Sequence, residues 1–361
     1  MKSLIITLTG NYNYGNRLQN YALQEVLKRK ELEVETYNNI YMNPKTQEIK
    51  IKNAKMDLKR IIRGIKSRIL KKDKYKVQDK KRSVKIKDFN DKYIIMSDKK
   101  KEELNGAYDY FILGSDQVWN PNFVNDLDIN LASCLNGNII SYAASFGVDK
   151  IYNNVYDLYK TSLMKMDYIS VREKNGKILA EQLSNKNVKI VLDPTMLLTV
   201  QEWENLEEKP EIYDEKKYLL IYCVSKEHNK LRKYVNKIAK EKHLNIIDLS
   251  DKDSKEYISG VEEFLFYIHH AEMIFTDSFH ACVFSILFKK DFWIIERSKQ
   301  IGMNDRIDTL LSTFNLKNRK LTYNKLNNLQ ECNYNDLDKI LEREKKISME
   351  FLEEALKIKE K

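Results

Sequence analysis

Only four cysteines, Cys134, Cys223, Cys282 and Cys332, occur in 361 residues, and no two form a CxxC pair. That spacing excludes a cysteine zinc knuckle and a disulfide staple, and it fits reduced thiols in a cytoplasmic protein. Histidine is also scarce, with five residues: His228, His243, His269, His270 and His280. None belongs to an HExxH pattern or to a Cys/His cluster with metal spacing, so no metal is expected. No apolar run approaches the ~18 residues of a membrane span. The opening apolar stretch is too short for a signal peptide, and no small-residue cleavage site follows it. Gly10 and Gly15 do not form the dinucleotide fingerprint, and there is neither a P-loop nor a GxSxG elbow. These absences argue against NAD chemistry, kinases, ATPases and serine hydrolases. No zinc finger or RRM-like element supports nucleic-acid binding.

A chain of this length has ample material for a core, and two domains are the better expectation. The formal charge of +10 is concentrated in one place, because residues 52–87 hold 16 Lys or Arg against 3 Asp and the rest of the chain sums to −3. Within that stretch Leu58, Ile61, Ile62, Ile65 and Ile69 recur at three and four, with Lys59, Arg60, Arg63, Lys66 and Arg68 between them. The pattern predicts a basic amphipathic helix. It has three readings: an excursion packed on its domain with the basic face in water, a patch for an anionic membrane surface or lipid-linked phosphate, or a nucleic-acid contact. The aromatics are not interleaved with the charges as base stacking requires, which disfavours the last.

Elsewhere strand and helix signals alternate. Strands are expected at Leu4–Leu8, Leu32–Tyr37, Tyr110–Leu113, Ile139–Ala143, Tyr168–Val171 and Val188–Leu192. After a break at 199–217 the alternation resumes, with strands at Tyr218–Val224, Leu244–Leu249, Ala271–Phe275 and Phe292–Glu296 and a long terminal helix at Leu337–Leu356. Repeated β-α units imply parallel sheets. The expected architecture is α/β, two Rossmann-like domains over residues 1–198 and 199–361, the first carrying the basic insert and the second the terminal helix.

Chemistry-bearing residues gather where strands end. Asn11–Arg17 follows the first strand; Asn13 and Asn16 suit a capped turn, Gly15 a close backbone approach, and Arg17 sits against the helix dipole unless an anion is near. Gly114-Ser115-Asp116-Gln117 ends another strand, where Asp116 and Gln117 either cap a helix or meet substrate hydroxyls. Trp119 beside them is a sugar-stacking face or core. Ser145 and Gly147 make a small-residue turn. Arg172-Glu173 follows a strand directly, and Arg172 either grips an anion bidentately or forms a structural ion pair. Asp193-Pro194 reads as a structural hinge or cap, with a domain-cleft contact as the less favoured alternative. The richest segment is Thr276-Asp277-Ser278-Phe279-His280-Ala281-Cys282, where a buried strand gives way to a helix. Ser278 and His280 then lie beside helix amides, in the kind of crevice where open α/β sheets bind ligands. His280 suits acid or cationic duty, with a satisfied core imidazole as the alternative.

Taken together, Asn13–Gln24, Gly114–Pro121, Ser141–Gly147, Val171-Arg172-Glu173, Leu192–Thr195 and Thr276–His280 resemble the polysaccharide pyruvyl transferase family. The resemblance spans most of the chain and rests on the blocks jointly. It implies a fold similar to the two-domain GT-B glycosyltransferases, with phosphoenolpyruvate as co-substrate, no other cofactor and no metal. It implies an acceptor sugar of a cell-surface polysaccharide or its lipid-linked oligosaccharide precursor, ketalised by pyruvate. On that resemblance His280, Arg172, Asp116 and Glu173 are expected to carry catalysis. Arg17, Asn13, Asn16, Ser145 and Ser278 are expected to hold the donor, and Gln117 and Trp119 the acceptor. The chain departs from the pattern at Asp277, which brings negative charge near the expected anion site, and at Ala281. Two rival functions stand beside this one: a glycosyltransferase using a nucleotide-sugar, and a noncatalytic assembly protein of surface-polymer synthesis.

Overall fold

Six parallel strands build the first lobe: β1 (Lys2–Ile6), β2 (Glu33–Thr36), β3 (Tyr110–Asp116), β4 (Asn138–Ala144), β5 (Tyr168–Val171) and β6 (Lys189–Ile190), in the order β2-β1-β3-β4-β5-β6. Five more build the second: β7 (Tyr218–Tyr222), β8 (Asn245–Asp248), β9 (Met273–Thr276), β10 (Asp291–Ile295) and β11 (Lys320–Leu321), in the order β11-β10-β9-β7-β8. The computed structural model describes residues 1–38, 58–123, 126–225, 232–297, 301–321 and 329–357, with the backbone alone for 58–72 and 301–303. The central strands read as continuous apolar runs because helices cover both faces; every residue of β3, β7 and β9 is buried. Two Rossmann-like lobes of GT-B-like architecture result, as the alternation of the sequence implied.

The lobes share packing. The Tyr14–Lys28 helix, which follows β1, lies against the Val261–His269 helix. The Tyr14 ring stacks on Phe264 at 4.5 Å, and its hydroxyl donates to the Ser259 carbonyl at 2.7 Å. The Ile301–Thr313 helix and β11 carry no strong periodic signal and were not anticipated from the sequence.

Two helices depart from their expected surroundings. The Leu337–Ala355 helix follows the second lobe in sequence but packs on the first. Phe351 meets the rings of Tyr142 and Tyr168, Ser348 Oγ accepts from the Leu192 amide at 2.9 Å, and Tyr110 donates to the Leu356 carbonyl at 2.9 Å. Its buried Ile340, Phe351, Leu352 and Ala355 form an apolar stripe, of which Phe351 meets the first lobe. The basic helix spans Leu58–Tyr93; residues 52–57 of the predicted insert lie outside the described residues. From Lys74 onward several of its charges find opposite charges on the second lobe, with Lys74 on Asp253 at 2.7 Å, Lys85 on Glu263 at 2.7 Å and Asp79 on Lys252. Among the described residues no helix is long and apolar enough to cross a membrane.

Candidate functional site

The carboxyl ends of the two sheets face one another, and the polar strand-end residues converge there. Asp116, the last residue of β3, has φ +68°, a left-handed conformation that Asp tolerates better than most residues. Its carboxylate pairs with Arg172, which follows β5, and lies 3.6 Å from Arg306 Nη1 on the Ile301–Thr313 helix. Arg172 Nη1 donates to Asp193 Oδ2 at 2.8 Å, and Ser115 Oγ donates to the same oxygen at 2.8 Å. The other oxygen, Oδ1, accepts the Thr195 amide and hydroxyl at 3.1 and 2.6 Å. From the second lobe His280 enters, in the first turn of the Phe279–Leu287 helix, with Nε2 3.6 Å from Asp193 Oδ2. One buried carboxylate of the first lobe thereby faces the imidazole of the second, at ion-pair rather than hydrogen-bond distance.

The electrostatics follow from this crowding. Burial pushes Asp116 up, but Arg172, His280 and Arg306 outweigh it and leave the group below its usual range. Asp193 behaves alike: burial opposes ionisation, while His280, Arg172 and Thr195 hold it well below an ordinary carboxylate. Arg306 is pushed down to about 9, first by burial and then by Arg172. Glu173 goes the other way, up to about 7, because burial outweighs Arg172 and Arg306.

That last shift has a testable sign. A carboxyl group raised in the native state binds more protons than its unfolded counterpart between the two values. Its contribution therefore falls as pH rises from about 4.5 to about 7 and is flat above. The full swing is of order 3 kcal/mol. Glu173→Gln keeps an oxygen for the Phe146 amide, now 3.2 Å from Oε1, and is expected to raise stability over wild type at pH 8 but not at pH 5. Denaturant melts at the two pH values measure this; equal gains at both would refute it.

A cavity of about 180 Å³ opens above the cluster, lined by Asn13, Asp116, Gln117, Ser278, His280, Arg297 and Arg306 among others. A neighbouring one of about 350 Å³ includes Tyr12, Asp79, Arg82, Tyr222, Lys252 and Tyr257, and shares Asn13, Val224 and Ser225 with the first. A larger hollow, about 470 Å³, sits at the opposite edge of the second sheet around Lys217, His243 and Asp291 and contains none of the expected site residues. Gly15 sets how closely the lobes meet: a Cβ there would fall 2.0 Å from His280 Nδ1. Gly15→Ala is expected to displace the imidazole and cut turnover while the protein stays folded; unchanged turnover would show that the ring's placement is not needed.

Several expected site residues do line the smaller cavity: Asn13, Asp116, Gln117, Ser278 and His280. Asn13 also caps the Tyr14–Lys28 helix through the Gly15 amide at 2.9 Å, and Ser278 caps the Phe279–Leu287 helix. Others require correction. Arg172 is not an open clamp; its side chain is 1% exposed and committed to Asp116 and Asp193. Arg17 is fully buried and turned to the Leu8 carbonyl and Asn90, since a guanidinium inside the lobe needs acceptors where it lies. Trp119 is fully buried with its ring against Phe146, so it offers no face to an acceptor. Ser145 is buried beneath, bonded through its backbone to Asp116 and Trp119. Asn16 and Glu173 are likewise buried and absent from the cavity wall. Asp193, read as a hinge or cap or else a cleft contact, caps the turn at Thr195 and also faces His280 across 3.6 Å. Asp277 turns its carboxylate to the Val224 and Ser225 amides.

Arg297 and Arg306 are the cationic residues that sequence reasoning missed. Arg297 follows β10 as Arg172 follows β5, so the same strand-end argument would have found it. Arg306 occupies an apolar-face position, three residues after Met303 and four before Leu310, which is the visible sign of a buried guanidinium.

No curated protein matches the chain. At the level of fold it is similar to the UDP-GlcNAc 2-epimerase of Methanocaldococcus jannaschii, with TM-score 0.47, 12% identity, and coverage of 95% of this chain and 92% of that one. It is also similar to the UDP-GlcNAc 2-epimerase of Neisseria meningitidis bound to UDP-GlcNAc (TM-score 0.44, 10% identity, 98% and 99% covered). The E. coli heptosyltransferase with ADP gives TM-score 0.41, 10% identity, and 95% and 100% coverage. The family model for polysaccharide pyruvyl transferase matches residues 13–299, a span running from the Asn13 cap past His280 to Arg297. The chain therefore belongs to the polysaccharide pyruvyl transferase family, a family of sugar-modifying transferases.

Proposed function

We propose that the protein transfers pyruvyl from phosphoenolpyruvate to a sugar of a surface polysaccharide or its lipid-linked precursor. The observation that carries this reading is the small cavity that brings His280 together with Arg297 and Arg306. Its volume of about 180 Å³ suits a compact anion. Phosphate and carboxylate would face the two guanidinium groups, whose paired donors match both. Ser278 and Asn13 would add polar contacts.

His280, with the Asp193 carboxylate 3.6 Å away, would deliver a proton to the vinyl methylene carbon, making it a methyl group. An acceptor hydroxyl would add to the neighbouring carbon and give up its proton to Asp116 or solvent. Departure of phosphate would leave an oxocarbenium centre, and the second sugar hydroxyl would close the ketal with loss of its own proton. The adjoining 350 Å³ cavity, with Tyr12, Tyr257 and Asp79 in its wall, would receive the sugar.

The continuity of the two cavities also favours a second reading, in which a nucleotide-sugar fills both. Titration calorimetry separates the two. Saturable phosphoenolpyruvate binding to wild type, weakened in folded Arg306→Gln, supports pyruvyl transfer. Saturable UDP-sugar binding with no phosphoenolpyruvate binding, even with a lipid-linked sugar extract present, selects the glycosyltransferase.

A further inference from the structure

Between β7 and β9, the strand order of the second sheet reverses direction, and such a switch point is where open α/β sheets receive ligands. Here the donors that converge on the turn are taken by a side chain of the protein itself. The amides of Val224 and Ser225, just past β7, donate to Asp277 Oδ1 and Oδ2 at 2.6 and 2.9 Å. Arg297 Nη2, just past β10, lies 3.3 Å from Oδ1 and donates to the Asp277 carbonyl at 2.8 Å. Converging backbone amides beside a guanidinium are the donor set that holds a phosphate. Asp277 is 1% exposed. Its carboxylate is not needed to start the following helix, since Ser278 Oγ accepts the Ala281 amide there. Val224 and Ser225 line both cavities, so a ligand extending from one to the other must pass this turn.

We infer that Asp277 is a specificity-determining residue: its carboxylate stands where a second phosphate would bind and closes the cleft to diphosphate ligands such as nucleotide-sugars. Each amide has a single hydrogen, and both are already given to Asp277. A diphosphate reaching the turn meets an occupied donor set and a like charge. With the donor reading above, this leaves the smaller cavity to a compact monophosphate. Removing the carboxylate returns two amides to the cleft and releases Arg297, already in the cavity wall, from its pairing with Asp277.

The test titrates inorganic pyrophosphate and UDP into wild type, Asp277→Ser and Asp277→Asn, with folding checked by circular dichroism. Asp277→Ser is expected to bind pyrophosphate about tenfold or more tighter than wild type, the worth of one or two charge-assisted hydrogen bonds. Asp277→Asn keeps the shape and loses the charge, but its NH2 must face one of the two amides, so it keeps one acceptor and is expected to gain less. Equal affinity and stoichiometry in wild type and folded Asp277→Ser would overturn the inference. If Asp277→Ser does not fold, the absence of any gain in Asp277→Asn does the same. Phosphoenolpyruvate titrated into the same wild-type sample reports separately on the donor. A gain for pyrophosphate in the variants, with no phosphoenolpyruvate binding to wild type, would defeat the donor reading and leave Asp277 as the gate.

Discussion

His280→Ala is expected to lower turnover by roughly 10²–10⁴-fold, the usual worth of a positioned general acid. The fold should survive the change. Asp193 keeps Ser115, Thr195 and Arg172 when the imidazole is gone, so no buried carboxylate loses its last donor. The assay is phosphate release from phosphoenolpyruvate in the presence of an acceptor extract, with thermal melts in parallel. Turnover equal to wild type would remove the acid role. Loss of turnover together with a collapsed melt would instead mark His280 as a structural bridge between the lobes, a role its 5% exposure also permits.

Arg172→Ala is expected to act mainly on stability. The guanidinium separates two buried carboxylates, Asp116 and Asp193, and stacks over the Phe279 ring at 4.4 Å. Removing it leaves like charges facing each other in a site shielded from water. Breaking a buried pair from one side typically costs about 3–5 kcal/mol. Lysine is expected to rescue little, because a single ammonium cannot fork between two acceptors. Urea melts decide the matter. If Arg172→Ala melts with wild type and loses only donor affinity, the residue is a ligand clamp after all. If it melts early, any loss of donor binding by this variant says little about donor contacts, and Arg306→Gln becomes the informative one.

Much of the architecture was legible because each strand is a short apolar run and each helix an amphipathic one. Tyr168–Val171 matches its expected bounds. What periodicity does not carry is which strand ends meet. Arg172 read equally well as an anion grip or an ion pair, and only the order β3-β4-β5-β6 brings Asp116 and Asp193 to it. Arg17 was read as facing a ligand because a cation at a helix start opposes the dipole. The lobe answers that cost with the Leu8 carbonyl and Asn90, and the latter belongs to the basic helix, 73 residues away. Arg306 escaped notice because its helix was not among the elements expected from the sequence. The Asp116–Gln117 turn and His280 were found because strand ends carry polar groups for a reason other than packing.

The terminal helix has a consequence for how the chain comes to be folded. Contacts between the Leu337–Ala355 helix and the first lobe close very long loops, 156 residues from Leu192 to Ser348 and 246 from Tyr110 to Leu356. Long closures are slow to form, because the entropy of the intervening chain must be surrendered before any contact rewards it. While ribosomes make the chain from its amino end, the face bearing Tyr110, Tyr142 and Tyr168 is synthesised first and covered last. The first lobe is thus an apolar, unfinished surface throughout the synthesis of the second, the interval in which unfinished sheets aggregate. Expression yield should accordingly respond more to chaperone supply and to substitutions at Phe351 and Leu352 than to changes around the cleft.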